Sequence, residues 1–124
     1  MKIFCFGNEF IKGDETAKLL ADRIKNHNNF EFIVAESPSE VLYIEEDLWI
    51  LDVVDGLDEV QLIQNPEDLT ISPSLTCHDL DLGFYIQLMT KTNKLKNINI
   101  IGLPMGESDV EKMEKEVLKI LENL

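Results

Sequence analysis

Three stretches of the chain, "KIFCF" (2–6), "LWILDVV" (48–54) and "INIIGL" (98–103), are apolar almost without interruption. A strand with one wet face alternates apolar and polar residues, whereas an unbroken run of this length suits a strand buried on both faces. Such strands belong to a largely parallel sheet with helices on each side, and "FEFIVA" (30–35) adds another of the kind.

The intervening segments carry the helical period. Ala17, Leu20, Ala21 and Ile24 fall at i, i+3, i+4 and i+7, which predicts an amphipathic helix over 14–27 that ends in the polar "NHNN" with His27 at its solvated end. "SPSEVLYI" reads as a turn with a short helix. Leu82, Tyr85, Ile86 and Met89 predict a second long helix opening at Thr76. Val110, Met113, Val117, Ile120, Leu121 and Leu124 predict a closing one.

One connection breaks the alternation. "VQLIQ" (60–64) follows the 48–54 run after only "DGLDE", fewer residues than a parallel crossover needs, so it is expected to run antiparallel to its predecessor. The expected fold is α/β: a three-layer α/β/α sandwich on a mixed five-stranded sheet with one antiparallel strand. Strand one lies centrally between strands two and three. No linker or repeat divides the 124 residues, which are read as a single domain, 1–124.

In sheets of this type ligands bind beyond the carboxyl ends of the strands, where the connections part to opposite faces. Leaving strand one are Asn8, Asp14 and Glu15; near the end of strand three is Asp52, a carboxylate inside an apolar run. Burying such a charge costs several kcal/mol unless a cation or hydrogen-bond donors meet it. In "TCHDLDLGFYIQLM" (76–89), Thr76 and Asp79 have capping-box spacing, which puts His78 in a first helical turn. The helix dipole disfavours imidazolium there and keeps the ring neutral, as a metal ligand must be.

Two carboxylates and an imidazole at one crevice make a partial coordination sphere for a borderline divalent metal. Each has a plainer reading. Asp14 is also a good helix N-cap, Glu15 a partner for the helix dipole, Asp52 a satisfied structural acid, and His78 a helix-terminal residue without a ligand.

Charge narrows the partners. The 24 acidic residues against 11 basic ones give a formal charge of −13, which repels nucleic acid and anionic membranes alike. No apolar run is long enough to span a bilayer, and the N-terminus lacks a signal-peptide pattern, so a cytoplasmic protein is expected. Cys5 and Cys77 form no disulfide framework and read as reduced thiols. There is no G-x-S-x-G nucleophile elbow, and Cys77 beside His78 is not a convincing dyad.

Four segments together, "FGNEFIKGDETAKLLA" (6–21), "LWILDVVDGLDEVQLIQ" (48–64), "TCHDLDLGFYIQLM" (76–89) and "NINIIGLPM" (97–105), give the chain its likeness to a known family. In their order and spacing it resembles the hydrogenase maturation peptidases, which trim the C-terminal extension from the large subunit of nickel-iron hydrogenases. The resemblance implies a phosphorylase/hydrolase-like fold and an endopeptidase acting on a hydrogenase large-subunit precursor. It implies no organic cofactor: the nickel arrives in the substrate, and nickel or cadmium is expected to occupy the site in crystals.

Carried over by position, the metal-contacting set is the acid after Gly7-Asn8, Asp52 and His78. Ungapped alignment of Gly7-Asn8 and "LLA" selects Asp14 as the first acid and places the family's usual preceding acid on Gly13. Pairing "DE" with the family's acidic doublet selects Glu15 at the cost of compensating gaps. Asn8 and Glu36 are assigned to substrate contact. The chain departs from the family after strand two, where an acid followed by Gly-Gly or Gly-Thr is replaced by "AESPSE" (35–40). Ser37 and Pro38 lack glycine's backbone freedom. That departure keeps a second function open, a non-catalytic module that binds a hydrogenase subunit or its metal centre. A third, a flavodoxin-like domain for an anionic cofactor, is disfavoured by the acids at the switch point.

Overall fold

The computed structural model describes residues 1–7, 15–36, 40, 47–54, 57–64 and 97–124. Among these, six strands form one sheet: β1 (Lys2–Cys5), β2 (Asn26–His27), β3 (Phe30–Val34), β4 (Asp47–Val54), β5 (Gln61–Ile63) and β6 (Asn97–Pro104). Two helices, α1 (Thr16–Ile24) and α2 (Val110–Glu122), complete the described elements. The strand order is β2-β3-β1-β4-β6-β5. β1 pairs in parallel with β3 and β4, and β4 in parallel with β6. The first strand is therefore central, between strands two and three of the sequence reading, as expected.

The apolar runs are buried on both faces because side chains alternate across the sheet. Ile3, Cys5, Trp49, Leu51, Val53, Ile101 and Leu103 point to the face covered by Ala17, Leu20 and Ala21 of α1 and Met113, Val117 and Leu121 of α2. Their alternates Phe4, Phe6, Leu48, Ile50, Val54, Ile98 and Ile100 form a second buried cluster on the opposite face. Two buried faces are what an α/β/α sandwich requires. Phe30 closes the near end of the first cluster edge-on to Trp49, with ring centroids 5.2 Å apart and planes at 69°.

Three features depart in detail from the expected arrangement. First, α1 stops at Ile24 instead of reaching His27, because Lys25 (φ 60°) and Asn28 (φ 54°) take left-handed conformations. They fold "NH" back as β2, an antiparallel hairpin partner of β3, and this adds a sixth strand. His27 is consequently not at a solvated helix end: its Nε2 lies 3.3 Å from Glu122 Oε1 at the end of α2. Second, β5 runs antiparallel to β4 as expected, but it pairs with β6, which lies between the two. Third, α2 ends before Leu124, which is 61% exposed and no part of the core.

The closing helix begins where its sequence supplies a cap. Asp109 Oδ1 accepts the Lys112 N–H at 3.1 Å, satisfying one of the free donors of the first turn. Arg23 of α1 reaches Glu114 of α2 through Nε and Nη2, at 3.2 and 2.9 Å from the same carboxylate oxygen. The two helices are thereby tied side by side on one face. Apart from Glu40, the short helix expected in 37–44 lies outside the described residues, as does the long one opening at Thr76.

Candidate functional site

The carboxyl ends of β1, β3 and β4 lie together at one edge of the sheet, and the chain leaves β1 toward α1 and β3 on one side of β4. This is the switch-point geometry at which α/β sheets bind ligands. Asp52 is on β4 at that edge, one step beyond the last residue paired with β1, since Cys5 is opposite Leu51. The side chain is buried, at 1% relative exposure, on the same face as Ile50 and Val54. Its Oδ1 accepts the Val53 backbone N–H at 2.8 Å.

On its other flank, Asp52 stands in register with Gly102 of β6, which in turn pairs with Gln61 of β5. The row Gln61–Gly102–Asp52 thus crosses three strands, and the position between amide and carboxylate carries no side chain. Sequence reasoning did not single out Gly102. The available signal was a glycine inside an otherwise apolar strand, which often marks a place where another part of the structure comes close.

Glu15 and Glu36 are brought together. Both line a groove of about 450 Å³ beside the ends of β1 and β3, with Lys18 and Asp22 of α1. Glu15 occupies the N-cap position of α1 but makes no side-chain cap bond. Its Oε2 is shielded from solvent with no hydrogen-bond partner. Glu36 is exposed, and its backbone N–H donates to the Glu40 carboxylate. The N-cap position that the plainer reading gave to Asp14 thus falls at Glu15. Asp14, His78 and Asn8 lie outside the described residues. Among the described residues no group of three or more His, Cys, Asp or Glu side chains forms a metal site.

Cys5 is the one described nucleophile candidate beneath this edge, and its environment disables it. The thiol is buried, with Sγ 3.6 Å from the Ile3 carbonyl oxygen. Burial pushes its pKa far above the ordinary range; a backbone hydrogen bond involving Ile33 opposes the shift, and the charges of Asp52 and Asp22 reinforce it. A thiol held protonated is a poor nucleophile and a poor metal ligand.

The fold is the one found in hydrogenase maturation endopeptidases, as the motif order led us to expect. The hydrogenase maturating endopeptidase HybD from Escherichia coli superposes with a TM-score of 0.71 at 14% identity, over 98% of this chain and 90% of that one. The Escherichia coli endopeptidase HycI gives 0.70 at 20% identity, over 99% of this chain and 90% of that one. A hydrogenase 2 maturation peptidase from a Thaumarchaeota archaeon gives 0.54 at 14% identity, over 98% and 95%. No family model matches the sequence, and no curated protein matches it. At these identities the likeness establishes the fold. No helix among the described residues is long and apolar enough to cross a membrane.

Proposed function

We propose that this chain is a hydrogenase maturation endopeptidase that removes the C-terminal extension of a nickel-iron hydrogenase large-subunit precursor. The observation that carries the reading is Asp52, a carboxylate buried at the switch point of a fold shared along nearly its whole length with HybD and HycI. Asp14, Asp52 and His78 are its metal-contacting set, with Glu15 the alternative first acid. Nickel already installed in the precursor is the group they grip, so the metal belongs to the substrate.

The chemistry is hydrolysis of a peptide bond near the precursor's C-terminus. A buried, protonated Cys5 leaves the described residues without a thiolate for a covalent route. A substrate-borne metal can polarise a carbonyl or acidify a water. Docking through it also places the tail, and positioning of that kind supplies ~7 kcal/mol or more toward the barrier. A precursor without nickel loses that placement and stays uncut, so the enzyme acts as a checkpoint on metal insertion. The acids near the switch point, Glu15, Asp22, Glu36 and Asp52, suit a cationic centre and repel phosphate. A cytoplasmic location goes with this reading.

The test is incubation with nickel-loaded and nickel-free precursor, followed by mass spectrometry of the C-terminus. Shortening of the loaded form alone supports the reading. The second reading, a binding module without catalysis, is favoured by the "AESPSE" segment, where the Glu36 N–H is engaged by Glu40 and not offered to a substrate strand. An intact precursor in a stable complex would select it.

A further inference from the structure

We infer that Gly102 is a positioning residue for Asp52: by lacking a side chain, it lets Leu57 seat on the sheet beside the carboxylate and wall it on the β6 flank. The inference rests on the topology of β4, β5 and β6. Because β6 lies between β4 and β5, the chain leaving Val54 must pass from one side of β6 to the other before it pairs as β5. Leu57 belongs to that passage, and it packs with Ile63 against the cluster formed by Ile50, Val54 and Ile100.

Gly102 is where this packing is tightest. A Cβ built there would lie 2.7 Å from Leu57 Cδ1, 3.2 Å from Val54 Cγ2 and 3.6 Å from Ile63 Cδ1. The first distance is shorter than real Cβ contacts allow, so any side chain at 102 unseats Leu57. The obstructing atom is the tip of a flexible side chain and not backbone, so the sheet can accept the change while Leu57 moves.

Side-chain alternation places Asp52 and Gly102 on the same face, one strand spacing of ~4.8 Å apart. Leu57 therefore occupies the space next to the Asp52 side chain, on the β6 flank where an ordinary residue would stand. Seated, it packs over β6 and confines the carboxylate on that flank. Unseated, it leaves Asp52 without a fixed wall. Positioning of a docking group matters steeply, since a displacement of ~1 Å can change a rate ~100-fold.

The experiment compares the full-length protein with Gly102→Ala, Leu57→Ala and the double variant. The first readout is the carbon-13 signal of the Asp52 carboxylate, assigned by its loss in Asp52→Asn. The second is the KM and kcat for nickel-loaded precursor; only this arm depends on the peptidase reading. Each single variant is expected to move the Asp52 signal and to raise KM up to ~100-fold with kcat nearly kept. The double variant should be no worse than either single one, because both remove the same contact. An unmoved Asp52 signal in both single variants, or additive effects in the double, overturns the inference. If the wild type leaves the precursor intact, the peptidase reading fails and the carbon-13 arm still decides the role of Gly102. Should Gly102→Ala not fold, Leu57→Ala alone decides, since it empties the same space without adding an atom.

Discussion

Asp52→Asn separates a working acid from a structural one, because the two roles predict stability changes of different size. If Asp52 mainly anchors the fold as one half of a buried charge pair, removing its charge strands the partner and costs ~3–5 kcal/mol. If it is held for docking, the change is small. Asn keeps the size of the side chain and still accepts the Val53 N–H, now 2.8 Å from Oδ1. What is lost is the charge assistance of that bond and of any other Asp52 makes, about 1 kcal/mol for each as the difference between charged and neutral hydrogen bonds. What is gained is relief from desolvating a carboxylate that is 1% exposed. The two effects oppose each other, so we expect a net change within ~1–2 kcal/mol. Urea titration gives the stability difference from the midpoint at constant slope. Mass spectrometry of nickel-loaded precursor is expected to show cleavage down by ~100-fold or more. A loss of 3 kcal/mol or more, or cleavage at the wild-type rate, would refute the assignment of Asp52 as a docking group.

Asp14→Asn and His78→Gln are each expected to abolish precursor cleavage with little change in thermal melting; a collapsed fold in either would return that residue to a structural role. The folded Cys5 thiol has a pKa raised above its ordinary value of 9.0. Its contribution to stability is therefore complete below pH 9 and is lost as pH rises beyond it, by at most ~1.4 kcal/mol per pH unit. Urea midpoints from pH 8 to 11 should fall less steeply in Cys5→Ala than in the wild type, and equal slopes would contradict the burial effect. Leu20, fully buried between α1 and the sheet, should cost ~2–5 kcal/mol when cut to Ala, measured by urea titration. The Arg23–Glu114 pair is part-exposed, at 45% and 23%, so a double-mutant cycle should give only ~0.2–1 kcal/mol.

The central sheet was legible because its signal is long-ranged and redundant. Continuous apolar runs at 2–6, 48–54 and 98–103 leave few alternatives to strands buried on both faces, and the strands found lie within a residue or two of those runs. Helix ends were less legible, since they depend on single residues. Lys25 carries no signal for positive φ and Asn28 only a moderate one, yet they cut α1 short and create β2. The pairing of β5 was hidden for another reason. A short connection fixes direction but not neighbour, and β6, far along the chain, inserts itself between β4 and β5.

The site divides in the same way. Asp52 was visible as a charge that an apolar strand would otherwise exclude, and the structure places it at the switch point. Glu15 and Glu36 were visible as acids but not as neighbours, because their approach depends on β1 and β3 being paired, with Ala35 N–H bonded to the Cys5 carbonyl at 2.9 Å. Gly102 gave only the weak signal of a glycine in a strand. Its meaning comes from register with Asp52 and from Leu57 descending across β6, relations that appear only in three dimensions.

The charge distribution bears on what can be captured at this edge. Glu15, Asp22 and Glu36 around the groove at the ends of β1 and β3, against Lys18 alone, give that end of the sheet an excess of negative charge. Such a field discriminates strongly between ligands of opposite sign but weakly among cations, which differ mainly in preferred donors and geometry. If the metal-contacting set is as proposed, selection for nickel over a hydrated magnesium ion must then come from the imidazole of His78, a donor that nickel accepts readily and magnesium does not. His78→Asp should accordingly leave a site that still attracts divalent cations while losing the loaded precursor. Calorimetry with nickel and magnesium chlorides, run beside the cleavage assay, would show the preference for nickel narrowing; an unchanged preference would assign selectivity to the carboxylates instead.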